Sequence, residues 1–544
     1  MKKLIISIIS LVFVSVLSSC DDFLTTVPND ALSPATTWKT EADAAKFLVG
    51  CYNGWLWGEE FFYLDCVSDI GFSYHTHEGY RVWGNGGMNS SGSNLTGNFY
   101  SYSSIRRCDH FLANIDQVVM DEAKKKDMIA QVRLIRAYRY FKMNWWYGGC
   151  AIIPLSESAS EAQVPRETEE AVKQHVFAEI DAALAGGINE EPAATGYVAR
   201  GFGLALKMRS ALYYGDYQRA MDASKELIGL GQYELYGDFA ELFSYTGRDS
   251  KEIILSVQKI KPTANEWIVT VPNNVDGGWS SMVPTQNLID LYEMNNGLTK
   301  EEAGSGYDPV HPFANRDPRM AMTVLVPGID WASNYNGVLN TLDTELPDAA
   351  KTKNPNHPLA ADNCSKTALT WAKYVAPLSQ YNNDLYNTET EYIVFRYAEV
   401  FLTLAEASNE LNGPSAEVYD ALDKIRARVG MPAVNRTKYS TKETLRELIR
   451  RERSIELAGE GHRRSDIMRW KDASGKMLAE TLLNGPLNRV TGTINYSETD
   501  PFKRAVINGV QLIEERKFAV HNRYLPITQG NLDKNPQLKQ NPGY

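Results

Sequence analysis

Side chains whose types and spacing suit chemistry gather in a few places along this chain. Glu452, Glu456 and Glu460 recur every four residues, on the helix face shared with Leu445 and Leu448. Two such carboxylates beside arginines could act as acid and base on a glycosidic bond. The same pattern has a structural use. Carboxylates on a core-facing stripe require counter-charges, and Arg453, Arg463 and Arg464 stand nearby. We expect ion pairing here rather than catalysis. His75-Thr76-His77-Glu78 would place two imidazoles on one face of a strand, as a metal site needs. The remaining ligands are missing at any recognisable spacing, so no metal is expected. A Walker phosphate loop, a Gly-x-Ser-x-Gly elbow and a Gly-x-Gly-x-x-Gly fingerprint are absent from the sequence, and no cofactor is expected.

Aromatic residues offer a different chemistry. A sugar ring has an apolar face of C–H groups and a rim of hydroxyls. Trp and Tyr supply flat apolar surface at low entropic cost, and neighbouring Asn or Arg can meet hydroxyls. Tyr74, Tyr80, Arg81, Trp83 and Asn85 form one such cluster in sequence. Trp279, Trp331 and Tyr335 are candidates for a second wall.

The elements that must position these groups read as helical hairpins around irregular segments. Leu134, Ala137, Tyr138, Phe141 and Trp145 share one helix face, closed by Gly148-Gly149. Val198, Phe202, Ala205, Leu206, Leu212 and Tyr213 mark another helix that stops at Gly215-Asp216. A further face, Tyr217 to Ile228, begins at once and stops at Gly231. So short a turn forces antiparallel packing, and the pair, with small Ala220 at the crossing, resembles a tetratricopeptide hairpin. The layout returns with Val394 to Ala405, Val418 to Val429 and Leu445 to Ile455. The expected fold is mainly α, a scaffold of tetratricopeptide-like hairpins with loop-rich insertions. Between them, Gly54 to Phe99 and about 261–390 are rich in Gly, Asn and aromatic residues; long irregular segments in compact folds usually carry function.

Composition bounds the rest. The 544 residues include 67 Asp and Glu against 56 Lys and Arg, a net charge of −11, which argues against an extended phosphate-binding surface and hence against nucleic acid. Aromatics are plentiful, with 29 Tyr and 11 Trp. Lys2 and Lys3 precede the apolar run Leu4 to Leu17, too short at about 21 Å for a bilayer core. It reads as a secretory signal over residues 1–19. Leu17-Ser18-Ser19-Cys20 resembles a bacterial lipobox, which would make Cys20 the acylated N-terminus, followed by the acidic pair Asp21-Asp22 and a tether over 20–40. The other cysteines, Cys51, Cys66, Cys108, Cys150 and Cys364, lack Cys-x-x-Cys spacing and are expected mostly as buried structural thiols.

Several of these segments together resemble the SusD/RagB family of outer-membrane lipoproteins. The resemblance rests on Cys20-Asp21-Asp22-Phe23-Leu24 with Pro28, Arg136-Ala137-Tyr138 through Tyr147-Gly148, and Arg316-Asp317-Pro318-Arg319. It continues with Phe395-Arg396-Tyr397-Ala398-Glu399-Val400, the block from Glu452-Arg453 to Trp470, and the close from Leu525-Pro526-Ile527 to Gln540-Asn541-Pro542-Gly543-Tyr544. Gly148-Gly149-Cys150-Ala151 and Arg107-Cys108-Asp109 depart from the family pattern, outside the binding loops. The resemblance implies a cell-surface, lipid-anchored binder without catalysis. It would capture an oligosaccharide and deliver it to a SusC-like, TonB-dependent barrel in the outer membrane, using aromatics from the two loop regions. Peptide capture, as in RagB-like import, is the alternative. The expected division is a helical region over 41–260, a ligand-binding region over 261–390 and a C-terminal helical region over 391–544.

Overall fold

The computed structural model describes residues 37–56, 59–91, 99–156, 158–193, 195–259, 267–331, 337–342, 363–376, 384–386 and 388–544. The expected signal over 1–19, Cys20 as the expected acylation site and most of the expected tether lie outside the described residues.

Helices dominate, and their ends follow local chemistry. Helix α1 (Glu41–Tyr52) opens on a capping box in which Thr40 and Asp43 satisfy each other's backbone N–H groups. Helix α2 (Glu59–Cys66) leads into strand β1 (Gly71–Ser73), and a single turn, α3 (Arg81–Gly84), follows. Helix α4 (Ser103–Asn114) packs on α5 (Glu122–Tyr147), the 26-residue axis of the first half. Its end at Gly148 has φ +67°, and the Tyr524 ring lies 2.8 Å from where a Cβ would stand, so only glycine fits. Helix α6 (Glu169–Ala185) packs along α5.

The hairpin read at Gly215 is present. Helix α7 (Arg200–Tyr213) turns through Gly215 into α8 (Tyr217–Gly229), whose first turn is capped by Asp216. Ala220 is fully buried at the crossing. The C-terminal hairpins stack on this one: α8 lies against α9 (Tyr397–Asn412), which packs on α10 (Ala416–Arg428) and α11 (Lys442–Glu456). Strand β2 (Ile253–Val257) pairs antiparallel with the strand leading into α9, Tyr392–Arg396. One contiguous core runs from Trp38 to Ile527, so the helical regions share an interior. Cys51, Cys66, Cys108, Cys150 and Cys364 are buried in the protein. Among the described residues, no helix is long and apolar enough to cross a membrane.

The carboxylates of α11 and the turn after it are buried in ion pairs. Glu452 accepts from Arg319 at 2.6 Å and Arg426 at 2.9 Å. Glu456 accepts from Arg319 at 3.0 Å and Arg396 at 2.7 Å, with Arg428 also bound. Glu460 holds Arg396 and Lys373. Burial alone would push Glu456 up, but Arg428, Arg396 and Arg319 hold its carboxyl well below the usual range. The expectation of ion pairing holds, and the identity of the partners is corrected. Arg453 serves Asp466, Arg463 serves Asp69, and Arg464 donates to the carbonyls of Val67 and Asn522. Sequence neighbours on a helix point around its circumference. The true counter-charges arrive from Arg319, Arg396, Arg426 and Arg428, so one network joins the loop-rich middle to the last helices.

Candidate functional site

The two aromatic segments, some two hundred residues apart in sequence, meet at one small sheet. Strand β1 pairs antiparallel with β3 (Met282–Pro284), in the register Gly71↔Pro284 to Ser73↔Met282. The ladder extends one step, since the Tyr74 N–H donates to the Ser281 carbonyl at 3.3 Å. Tyr74 and Trp279 are thereby carried by neighbouring backbone.

The loop that presents Trp279 is tightly folded. Trp279, Ser280 and Ser281 donate their backbone N–H groups to Val269, Pro272 and Thr270 at 2.8, 3.1 and 2.8 Å. A Cβ on Gly278 would stand 2.3 Å from the Pro272 carbonyl oxygen. Ser280 adopts φ +44°, a conformation that L side chains rarely take. Trp279 is half-buried and meets Tyr386 in a T-shaped contact at 6.4 Å. Tyr386 is 47% exposed and sits in the segment that followed the sequence-predicted wall. The Trp331 indole N–H donates to Asp276 at 2.7 Å, fixing that half-buried ring beside the same loop.

Tyr74 stands on the β1 side of the ladder. Its ring lies 5.5 Å from the Arg81 guanidinium and 4.6 Å from the Lys366 ammonium. Arg81 is steered by Glu514, 2.6 Å from its Nε. Lys366 precedes Ala368, a second non-glycine residue at positive φ, +69°. Thr370, just beyond, donates to Asn273 of the Trp279 loop at 2.9 Å. Backbone at Ser280 and Ala368 is strained, and such strain persists where the surroundings over-determine it.

Other members of the predicted cluster stand elsewhere. Trp83 is 1% exposed, packed between Phe99 and Trp146 at 6.4 and 6.0 Å with the Arg464 guanidinium over its ring. Tyr80 is buried and stacks on Tyr63 at 3.7 Å. Neither can offer a ring face to solvent, because the inner side of the single turn α3 is turned into the core. Asn85 accepts from the Gly87 N–H at 3.1 Å and shapes the following turn. Tyr335 lies outside the described residues. The partly exposed rings and cations about the β1–β3 ladder are therefore Tyr74 with Arg81 and Lys366, and Trp279 with Trp331 and Tyr386. Lys366 and Tyr386 were not singled out in the sequence; both fall in the 261–390 stretch marked as loop-rich, which was the only signal available.

His75 and His77 lie 5.4 Å apart between ring centroids. Among the described residues no group of three or more His, Cys, Asp or Glu side chains gathers as metal ligands would. Glu452, Glu456 and Glu460 are at most 4% exposed, and each is paired with buried cations.

Residues 240–544 match the profile of the SusD family. The chain belongs to the SusD family. SusD-like protein P25 of Formosa agariphila is 25% identical over 492 residues, covering 83% of this chain and 87% of that one. SusD-like protein P2 of the same organism is 26% identical over 514 residues, with 87% and 91% covered. Among solved structures, a SusD-like carbohydrate-binding protein from Bacteroides fragilis superposes with a TM-score of 0.80 at 24% identity, over 93% of this chain and 100% of that one. A laminarin-binding SusD-like protein superposes with a TM-score of 0.69 at 22% identity, with 93% and 100% covered. The mainly α, SusD-like fold expected from the sequence is the one observed.

Proposed function

We propose that this chain is a lipid-anchored protein of the outer-membrane surface that captures a glycan and passes it, without chemistry, to a SusC-like, TonB-dependent barrel. The observation that carries the reading is the meeting of Tyr74 with the Trp279 loop across the β1–β3 ladder, beside the exposed ring of Tyr386. Rings of this kind cover the C–H face of a sugar, while Arg81 and Lys366 at the margin meet its hydroxyl rim. The loop is held by its own backbone bonds and by strained residues, so little ordering entropy is lost when a ligand docks. The glycan-binding relatives support the same chemistry. Anchoring at Cys20 would keep ligand near the transporter, where effective concentration compensates for modest affinity.

The test is a thermal-shift panel on the chain from Asp21 onward. A saturable rise in Tm with one polysaccharide supports the reading, because a ligand that binds only the folded state stabilises it by mass action. A panel without any rise, or a rise confined to peptides, contradicts it and favours the peptide-import alternative.

A further inference from the structure

A second cleft, of about 570 Å³, opens where several helix ends converge: Trp145 near the end of α5, the start of α6, and the turn between α7 and α8. That volume lies within the range of small-ligand pockets. It shares no residue with the aromatic face described above. Its walls are the rings of Tyr214, Tyr217 and Tyr524, with Arg523, Lys471 and Glu169 among them.

The charges of this cleft are unbalanced. The Arg523 guanidinium donates to the Trp145 carbonyl at 2.9 Å and lies 3.9 Å from the Trp145 ring centroid, yet it pairs with no carboxylate among the described residues. Burial takes it below the ordinary arginine range, and Tyr524 and Glu169 do not restore it. Lys471 is exposed and has no ion partner among the described residues. Glu170 and Lys173 neutralise each other at 2.8 Å. Glu169 is already a hydrogen-bond acceptor, taking the Tyr524 hydroxyl at 2.8 Å. On a chain of net charge −11, two cations without an ion pair among the described residues, against the single unpaired carboxylate of Glu169, face three tyrosines here.

We infer that this cleft is a second ligand site, for a sugar bearing a carboxylate. A guanidinium with free N–H groups takes a carboxylate through charge-assisted bonds, Lys471 adds attraction at the mouth, and the tyrosines supply surface for the ring. The remaining lone pairs of Glu169 accept from a sugar hydroxyl. The inference does not depend on the aromatic face being a glycan site.

The experiment is calorimetric titration of the chain from Asp21 with a galacturonate trimer and with the neutral galactose trimer. The acidic trimer is expected to bind about tenfold tighter, the equivalent of one charge-assisted bond, and to weaken as salt rises. Lys471→Gln and Tyr217→Ala, both at the cleft surface, should each weaken it severalfold, and Arg523→Gln should weaken it most. Trp279→Ala should leave it unchanged. Equal affinity for both trimers, no binding of the acidic one, or binding indifferent to Lys471→Gln and Tyr217→Ala would overturn the inference. Loss of binding in Trp279→Ala would overturn it too, by moving the acidic sugar to the other site.

Discussion

The guanidinium of Arg396 grips Glu460 through parallel bonds, Nε to Oε2 at 2.7 Å and Nη2 to Oε1 at 2.8 Å, across 64 positions of sequence. Both residues are essentially buried, so each charge needs opposite charges beside it; Arg396 also bonds Glu252 and Glu456, and Glu460 also holds Lys373. Glu460→Gln would leave Arg396 and Lys373 short of a partner. We expect a loss of about 3–5 kcal/mol in denaturant-induced unfolding. A stability within experimental error of the parent would show that the network is not needed to hold the loop region to the last helices.

His462 makes the fold sensitive to acid. Burial, reinforced by Arg209 and Arg453, holds its pKa well below the ordinary 6.5, although Glu399 lies 3.8 Å from Nδ1 and Tyr213 3.4 Å. The unfolded chain therefore binds a proton that the folded chain refuses once pH falls below about 6.5. Stability from this group is complete above that pH and declines below it, by up to about 1.4 kcal/mol per pH unit. Unfolding measured between neutral and mildly acidic pH should show this slope, and His462→Gln should flatten it.

Two tryptophans that look alike in sequence should behave oppositely. Trp83→Ala empties a packed site between Phe99 and Trp146 and should cost about 3–5 kcal/mol of stability. Trp279→Ala removes a half-exposed ring and should leave Tm nearly unchanged while abolishing ligand binding. Thermal melts of the two variants, paired with a binding assay on Trp279→Ala, separate core from platform.

The contrast shows what the sequence could and could not convey. Helical hairpins were legible because their period is local and their stops are glycines such as Gly215 and Gly231, both at positive φ. The aromatic density near Tyr74 and Trp279 was legible as composition. Which ring faces outward was not. Trp83 is turned inward by contacts with Trp146 and Arg464, each far away along the chain. The partners of Glu452 were hidden for the same reason, since Arg319 lies 133 positions before it. Long-range pairing leaves no periodic trace.

The loop carrying Trp279 depends on Gly278. Gly278→Ala would press a methyl group against the Pro272 carbonyl, 2.3 Å away, and displace the Trp279 backbone. Because Gly278, Ser280 and Ser281 are buried, the clash should lower Tm as well. Affinity for ligand should drop about tenfold or more, as misplacement of a recognition group does. Unchanged affinity would mean that the loop adapts without loss.

The most direct test of the account is calorimetric titration of the chain from Asp21 against plant and host polysaccharides and a mixed peptide digest. Saturable heat with a glycan, lost in Trp279→Ala and Tyr74→Ala while both variants stay folded, is the predicted result. Heat with peptides alone, or glycan binding that survives both substitutions, would contradict it.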